Sequence, residues 1–344
     1  MAADASHTAV IKLLLENGAD VNAIDDQQMT VLKHAVYCGE VTAVRLLLEH
    51  GAKVDVGDDS CLPAAYDNSA ITELLLAQHP RQSAMNEALS NATEDNPKVA
   101  ALLLSAGAQA DIFAASSLGL NDRIAELLES NPGLANLEQS EYPRERPLSL
   151  AASNGHIEAV KLLLAKRADI QPKNESTALQ AAAAGDHLEI MDLLLGHGAD
   201  VNHKDQMGAS ALLESARSGH VRSVQWLIEH GADPLIRDVY RATPLHAVAS
   251  SGAADVVRIL VKAGVPVDSR DDFRETPMHE AADEGRTETA DLLLQLGADV
   301  NARNRRGQTP LYYAEREIDA RSGFLDRVDR GPVAVLLRSR GGIK

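Results

Sequence analysis

Aromatic side chains are scarce: one Trp, six Tyr and three Phe serve 344 residues. A core built without them must rely on small aliphatic groups, and each ring left over becomes worth locating. Cysteine is nearly absent as well. Cys38 and Cys61 are too few for a disulfide framework and have no metal-ligand spacing. They fit a reducing compartment. No apolar run approaches the roughly 18 residues of a membrane span, and the opening MAADASHTAV lacks a signal peptide's basic start and apolar stretch. A cytoplasmic protein with no membrane contact is the expectation. Gly-x-Ser-x-Gly, phosphate-loop, dinucleotide and His-Glu-x-x-His motifs are all missing. The chain is therefore expected to be no enzyme, with no catalytic residue, cofactor or metal.

Positive charge is also in short supply, with 33 Lys and Arg against 50 Asp and Glu, a net charge of −17. The deficit is uneven. Residues 1–140 carry 7 basic and 20 acidic groups, or −13; residues 141–344 carry 26 and 30, or −4. Within the latter, residues 300–344 reverse sign with 10 basic and 5 acidic groups. So acidic a chain is expected to bind no nucleic acid, because phosphate contacts need clustered Lys and Arg.

What is present in abundance is a triplet of bulky aliphatics. It occurs as Leu13-Leu14-Leu15, Leu46-Leu47-Leu48, Leu74-Leu75-Leu76 and Leu102-Leu103-Leu104, and again as Leu162-Leu163-Leu164 and Leu193-Leu194-Leu195. It returns as Trp226-Leu227-Ile228, Ile259-Leu260-Val261 and Leu292-Leu293-Leu294, with weaker copies at Glu126-Leu127-Leu128 and Val335-Leu336-Leu337. From 193 to 292 the spacing is 33 residues three times running. A fixed period of that size means one small unit stacked many times, each burying its apolar face only on its neighbours.

The clearest units are Asp238 to Arg270 and Asp271 to Arg303. They contain Thr243-Pro244-Leu245-His246 and Thr276-Pro277-Met278-His279; Thr309-Pro310-Leu311 follows, and Gly-Ala-Asp recurs at 18–20, 198–200, 231–233 and 297–299. The chain resembles the ankyrin repeat family along essentially its whole length. The resemblance implies an all-α solenoid, a single array of about ten and a half helix-turn-helix units with projecting β-hairpin fingers. Thr243 suits a helix N-cap and Pro244 the first helical position. Gly219 and Gly252 suit the reversal between helices, and Gly264 and Gly297 the end of the second helix.

The period fails between 59 and 140, where triplets are spaced 28, 28 and 24 residues. Short units there are expected to make a soft or bent joint rather than a domain boundary, since no Gly/Ser-rich linker intervenes. The last spacing, 292 to 335, is 43 residues; the extra stretch EREIDARSGFLDRVDRGP, with Phe324, Leu325 and Val328, is expected to be a polar terminal cap.

Twelve histidines invite a search for chemistry. His7, His156, His187 and His220 follow the inter-helix turn, with Asp186 standing where Gly is usual. The resemblance gives His246 and His279 a bond to neighbouring loop backbone. His50, His197 and His230 precede the Gly that closes the second helix, where a cation complements the dipole. His156-Ile157-Glu158 and His187-Leu188-Glu189 match half of a zinc deaminase signature whose other half is absent, so they read as chance. The sequons Asn91-Ala92-Thr93 and Asn174-Glu175-Ser176 are too short to weigh.

Partners of the family usually occupy the concave groove of finger tips and first helices. Carried onto this chain, the tip positions are Gln206, Met207, Tyr240, Arg241, Asp272, Phe273, Arg274, Arg305 and Arg306. First-helix positions are Arg217, Ser218, Ser250, Ser251, Asp283 and Glu284. Tyr240 and Phe273 are 33 residues apart and flanked by arginines, an aromatic-plus-Arg cluster of the kind that anchors interfaces. Packing of each ring on the next finger is the competing reading. Trp226 reads as core or convex surface, and Tyr37 and Cys38 have a thinner case for contact. The expectation is a monomeric scaffold that binds a protein through an acidic patch or peptide meeting the stripe from Tyr240 to Arg306, with the acidic N-terminal units free to hold a basic partner. Two alternatives stand beside it. One is an enzyme with its site in 59–140, where Cys61 and His79 lie. The other is a targeting or regulatory segment of a larger protein, since the first residues align with the middle of a repeat.

Overall fold

The computed structural model describes residues 2–57, 59–92, 96–139, 145–173, 175–316 and 329–344. They form two compact units that meet in sequence between Leu134 and Ala135. The segment 317–328, with Phe324, Leu325 and Val328, lies outside the described residues, as do Thr93 and Asn174 of the two sequons. The side chain of His7 does too.

In the first unit α1 (Ala2–Glu16) precedes the pair α2 (Val31–Tyr37) and α3 (Val41–Glu49). A 3-10 turn at Leu62–Ala65 then pairs with α4 (Ser69–Leu76), followed by α5 (Gln82–Asn91) with α6 (Pro97–Ser105) and α7 (Ile112–Ser117) with α8 (Asn121–Ser130). The second unit repeats the pair more evenly: α9 (Pro147–Ser153) with α10 (Ile157–Ala165), α11 (Ala178–Ala184) with α12 (Leu188–Gly196), and α13 (Ala211–Ser218) with α14 (Val221–Glu229). It ends with α15 (Pro244–Ser251) and α16 (Ala254–Lys262), α17 (Pro277–Asp283) and α18 (Thr287–Gln295), α19 (Pro310–Glu315) and α20 (Gly331–Ser339). Within the second unit first helices pack on first helices, from α9 to α19, and second helices on second helices, from α10 to α20. This is the two-layer solenoid that the period predicts.

Two local rules make each pair. A Thr or Ser with extended backbone caps the first helix, as at Thr30, Thr177, Ser210, Thr243, Thr276 and Thr309. Each such cap is worth about 1 kcal/mol. The central residue of the aliphatic triplet then points into the seam: Leu47, Leu75, Leu103, Leu163, Leu194, Leu227, Leu260 and Leu293 are all fully buried. Truncating one to Ala would cost roughly 2–5 kcal/mol. Burial also corrects the two weaker copies. Leu128 and Leu337 are the fully buried residues there, so both triplets sit one residue later than the sequence suggests. In α1 the corresponding Leu14 is 55% exposed.

The irregular stretch has a local cause. The first helix of its opening pair is reduced to the turn Leu62–Ala65, and Asn68 caps α4 at once by accepting from Ile71 N–H at 3.1 Å. Among the described residues, strand pairing is limited to β1 (Asp55–Val56) with β2 (Asp59–Ser60) and a bridge between Ile24 and Thr30. The fingers are therefore turns more than ladders. No helix among the described residues is long and apolar enough to cross a membrane.

In the second unit the second helices end on a left-handed residue. Gly198, Gly231, Gly264 and Gly297 take that role at φ 90–97°, but Arg167 holds it at 62°. A side chain there strains the backbone, so Arg167→Gly is expected to stabilise the second unit by about 0.5–1 kcal/mol. Chemical denaturation checks this, and an unchanged midpoint would refute it.

Candidate protein-interaction surface

Five fingers are built on one turn. Asp25, Asp205, Asp238, Asp271 and Asn304 each accept the N–H groups two and four residues ahead on Oδ1, at 2.7–3.0 Å. The residue three ahead is forced into left-handed backbone: Gln28, Gly208, Arg241, Arg274 and Gly307. Glycine is the low-cost choice, and each non-glycine costs roughly 1 kcal/mol.

Neighbouring fingers are tied twice. Main-chain bonds run from Val239 N to Met207 O at 3.2 Å, Asp272 N to Tyr240 O at 2.9 Å, and Arg305 N to Phe273 O at 2.8 Å. In the second unit a basic side chain just before each turn bonds a carbonyl, and from Lys204, Arg237 and Arg270 that bond reaches the next finger. Arg237 donates to Arg241 O at 2.6 Å in its own finger and to Arg270 O at 3.1 Å in the next. Arg270 donates likewise to Arg274 O at 3.0 Å and Arg303 O at 2.9 Å. Lys204 reaches Arg237 O at 2.7 Å, and Arg303 reaches Gly307 O at 2.6 Å. Sequence reading missed these staples. Their signal was available: a basic residue precedes Asp or Asn at 204–205, 237–238, 270–271 and 303–304.

The ties place Tyr240 and Phe273 side by side, ring centroids 6.4 Å apart and planes inclined by 29°. Each nevertheless leaves about half its surface exposed, 51% and 53%, with Met207 at 50% beside them. Packing on the next finger and presentation to solvent thus coexist. Arg241, Arg274, Arg305 and Arg306 are exposed, and their guanidiniums make no ion pair or hydrogen bond with the described residues. Asp272, half-buried, is the one carboxylate among these tips that no turn engages.

Other expected contact residues are committed internally. Arg217 lies 3.8 Å from Glu214. Ser251 Oγ donates to Val248 O at 3.2 Å and Ala216 O at 3.4 Å. Asp283 is gripped by Arg316 at 2.6 Å and Arg330 at 2.8 Å. Glu284 is half-buried at the end of α17. Met207 and Gln206 are exposed one finger back, while Tyr37 and Cys38 are exposed in the first unit.

Between tips and helices lies a buried polar network. His246 Nδ1 faces Thr243 N–H at 3.1 Å and its Nε2 faces Glu275 O at 3.2 Å; His279 repeats this with Thr276 and Gln308 O. A carbonyl only accepts, so each ring is neutral with its proton on Nε2. Burial holds His246 down at about 4 and lowers His279. Tyr313 donates its hydroxyl to Glu275 and sets its ring edge-on to His279, with centroids 5.6 Å apart. Burial, then the Glu275 bond, pushes that phenol upward. Glu280 rises to about 7, chiefly through burial and then through the neighbouring carboxylates, Glu275 and Asp271 foremost.

Elsewhere the histidines have structural work. His50, His197 and His230 hydrogen-bond through Nδ1 to Leu46 O, Leu193 O and Trp226 O at 2.7–2.9 Å. His187 and His220 reach back to Ser153 O and Ala184 O, each at 2.8 Å. Asp186 takes the left-handed turn at φ 59°. Trp226 is nearly buried, stacked on His230 at 3.9 Å and donating to Asp192 at 2.9 Å. In the irregular stretch, burial pushes the Cys61 thiol up to about 12, which makes it a poor nucleophile. Among the described residues no group of three or more His, Cys, Asp or Glu is placed to hold a metal ion.

A protein-family model described as Ankyrin repeats (3 copies) matches residues 1–58, 112–205, 148–238, 212–304 and 245–321. Residues 59–111, where the period fails, fall outside those matches. No curated protein matches the chain.

Proposed function

Because the chain belongs to the ankyrin repeat family, we propose that it is a non-enzymatic scaffold whose C-terminal fingertips bind a partner protein. Arrays of this family generally serve protein–protein interaction and are typically not enzymes. The observation that carries the reading is the Tyr240–Phe273 pair, two rings held together by adjacent fingers yet half exposed. An aromatic pair flanked by guanidiniums that no described residue engages has the composition of an interface hot spot. Arg241, Asp272, Arg274, Arg305 and Arg306 supply its polar rim. Glu284 extends it toward the first helices, and Arg217, Ser251 and Asp283 contribute mainly as shape, since their polar groups already have partners.

The test is a comparative pull-down from the source cell's lysate. The bait is the full chain beside a Tyr240→Ala, Phe273→Ala variant with an unchanged circular dichroism spectrum. Neither ring is fully buried, so folding is expected to survive. A hot-spot pair should lose roughly 2 kcal/mol or more, about thirtyfold in affinity. A protein held equally by both baits would move the site off these fingers.

A further inference from the structure

We propose that the ligand of this stripe is an acidic extended segment of the partner. Its carboxylates meet Arg241, Arg274, Arg305 and Arg306, and an apolar side chain rests on the Tyr240–Phe273 rings. The inference rests on the fingertip reading just given and adds the chemistry of what is recognised.

The first ground is the backbone. At the third step of the finger turn Gly208 and Gly307 hold φ of 71° and 74°, while Arg241 and Arg274 hold 63° and 60°. Two adjacent fingers thus carry a long cationic side chain at a step suited to glycine. Strained residues that the fold itself does not require concentrate at functional sites. Nothing within the described fold takes up these two guanidiniums.

The second ground is contrast. Arg237, Arg270 and Arg303 leave the same fingers only a few residues earlier, and all three are bonded to carbonyls. Arg146, Arg316, Arg330, Arg338 and Arg340 are bonded to carboxylates. Apart from Arg167 and Arg258, the uncommitted arginines described in the second unit are those on three successive tips. Guanidinium pairs with a carboxylate in a planar two-bond fork, so a row of them suits spaced Asp and Glu side chains.

The third ground decides between anions. Phosphate backbones also suit arginine, and bases also stack on rings. Here the tips stand beside Asp272, with Glu284 half-buried at the end of α17, in a stretch, residues 141–344, whose net charge is −4. A continuous polyanion would meet those carboxylates wherever it tracked the surface. A peptide places a few charges only where arginines await them.

The test selects phage-displayed random peptides on the full chain. The enriched peptides are then measured against two variants, Arg241→Gly with Arg274→Gly, and Tyr240→Ala with Phe273→Ala. The arginine variant relieves backbone strain, so lost binding cannot be ascribed to unfolding. Expected are peptides rich in Asp and Glu around an apolar residue, bound at least ~tenfold more weakly by each variant and weakening with salt. Peptides without acidic content, lost only with the ring variant, would overturn this inference and leave the fingertip reading standing. Acidic peptides held equally by both variants would overturn both. Fluorescent oligothymidine bound through the arginines, with no acidic peptide enriched, would replace the peptide with a nucleic acid.

Discussion

Gly208→Ala is expected to destabilise the second unit by roughly 3 kcal/mol, and Gly307→Ala by about 1 kcal/mol. Both glycines hold the same left-handed step of the finger turn, so a methyl group strains their backbones alike. Their surroundings differ. A Cβ on Gly208 would lie 2.8 Å from Asp238 Cα and 2.8 Å from Val239 N, both main-chain atoms of the next finger; a Cβ on Gly307 meets nothing within 4 Å. The first substitution must push two fingers apart, and the bond from Val239 N to Met207 O is the one that opens. Denaturation midpoints read the difference, and amide exchange locates it, with Val239 losing protection in Gly208→Ala alone. Equal midpoints for the two variants would mean the fingers yield freely and the contact carries no energy. Arg241 and Arg274 show that the turn itself accepts a side chain, so the neighbouring main chain is the deciding term.

His246→Gln should leave stability at pH 8 nearly unchanged and raise it at pH 4 by up to about 3 kcal/mol. The chain contains its own control. Gln180 occupies the same place in α11, capping Thr177 and donating to Ala209 O at 2.8 Å, so glutamine satisfies this site without titrating. Burial holds His246 near 4 instead of 6.5, so the unfolded chain binds more protons between those values. Stability from this group is complete above about 6.5 and is lost as pH falls toward 4. Glu280 works the other way. Its carboxyl is raised from 4.5 to about 7, so the folded chain binds more protons there, and stability falls as pH rises through that window. The two slopes oppose each other between about 4.5 and 6.5, and the wild type should look flat there. Glu280→Gln should uncover the histidine's acid loss, while His246→Gln should leave a profile that rises on acidification. Denaturation titrations from pH 4 to 8 decide it. Parallel profiles for all three proteins would remove both groups from the account.

The helix pairs were legible because their causes are local. A Thr-Pro start, an aliphatic triplet and a closing Gly lie within one period, and each acts on neighbours a few residues away. Burial of Leu227 or Leu260 follows from that pattern alone. The candidate site was legible in position, since Tyr240 and Phe273 stand 33 residues apart on fingers that must be neighbours. Its energetics were not. That Asp283 is held by Arg330, 47 residues away, follows from how the last pair packs, and no periodicity announces it. The weaker triplets at 126 and 335 were misplaced by one residue for a similar reason. Burial and not spelling decides which of the consecutive aliphatics faces the seam, Leu128 in one and Leu337 in the other. The raised Glu280 depends on Glu275, Asp271 and burial together, a sum over three dimensions that spacing in one dimension does not contain.

The staples have a consequence for how such a molecule changes length. Lys204 reaches Arg237 O, Arg237 reaches Arg270 O, and Arg270 reaches Arg303 O, each across an interval of 33 residues. Excising or duplicating one whole block between 204 and 303 returns every cation to a carbonyl of the same kind in the same register. A gain or loss of any other length would leave the donor facing the wrong atom. Between 204 and 303 the array is quantised: heredity can add or remove floors there, but it cannot change the height of one.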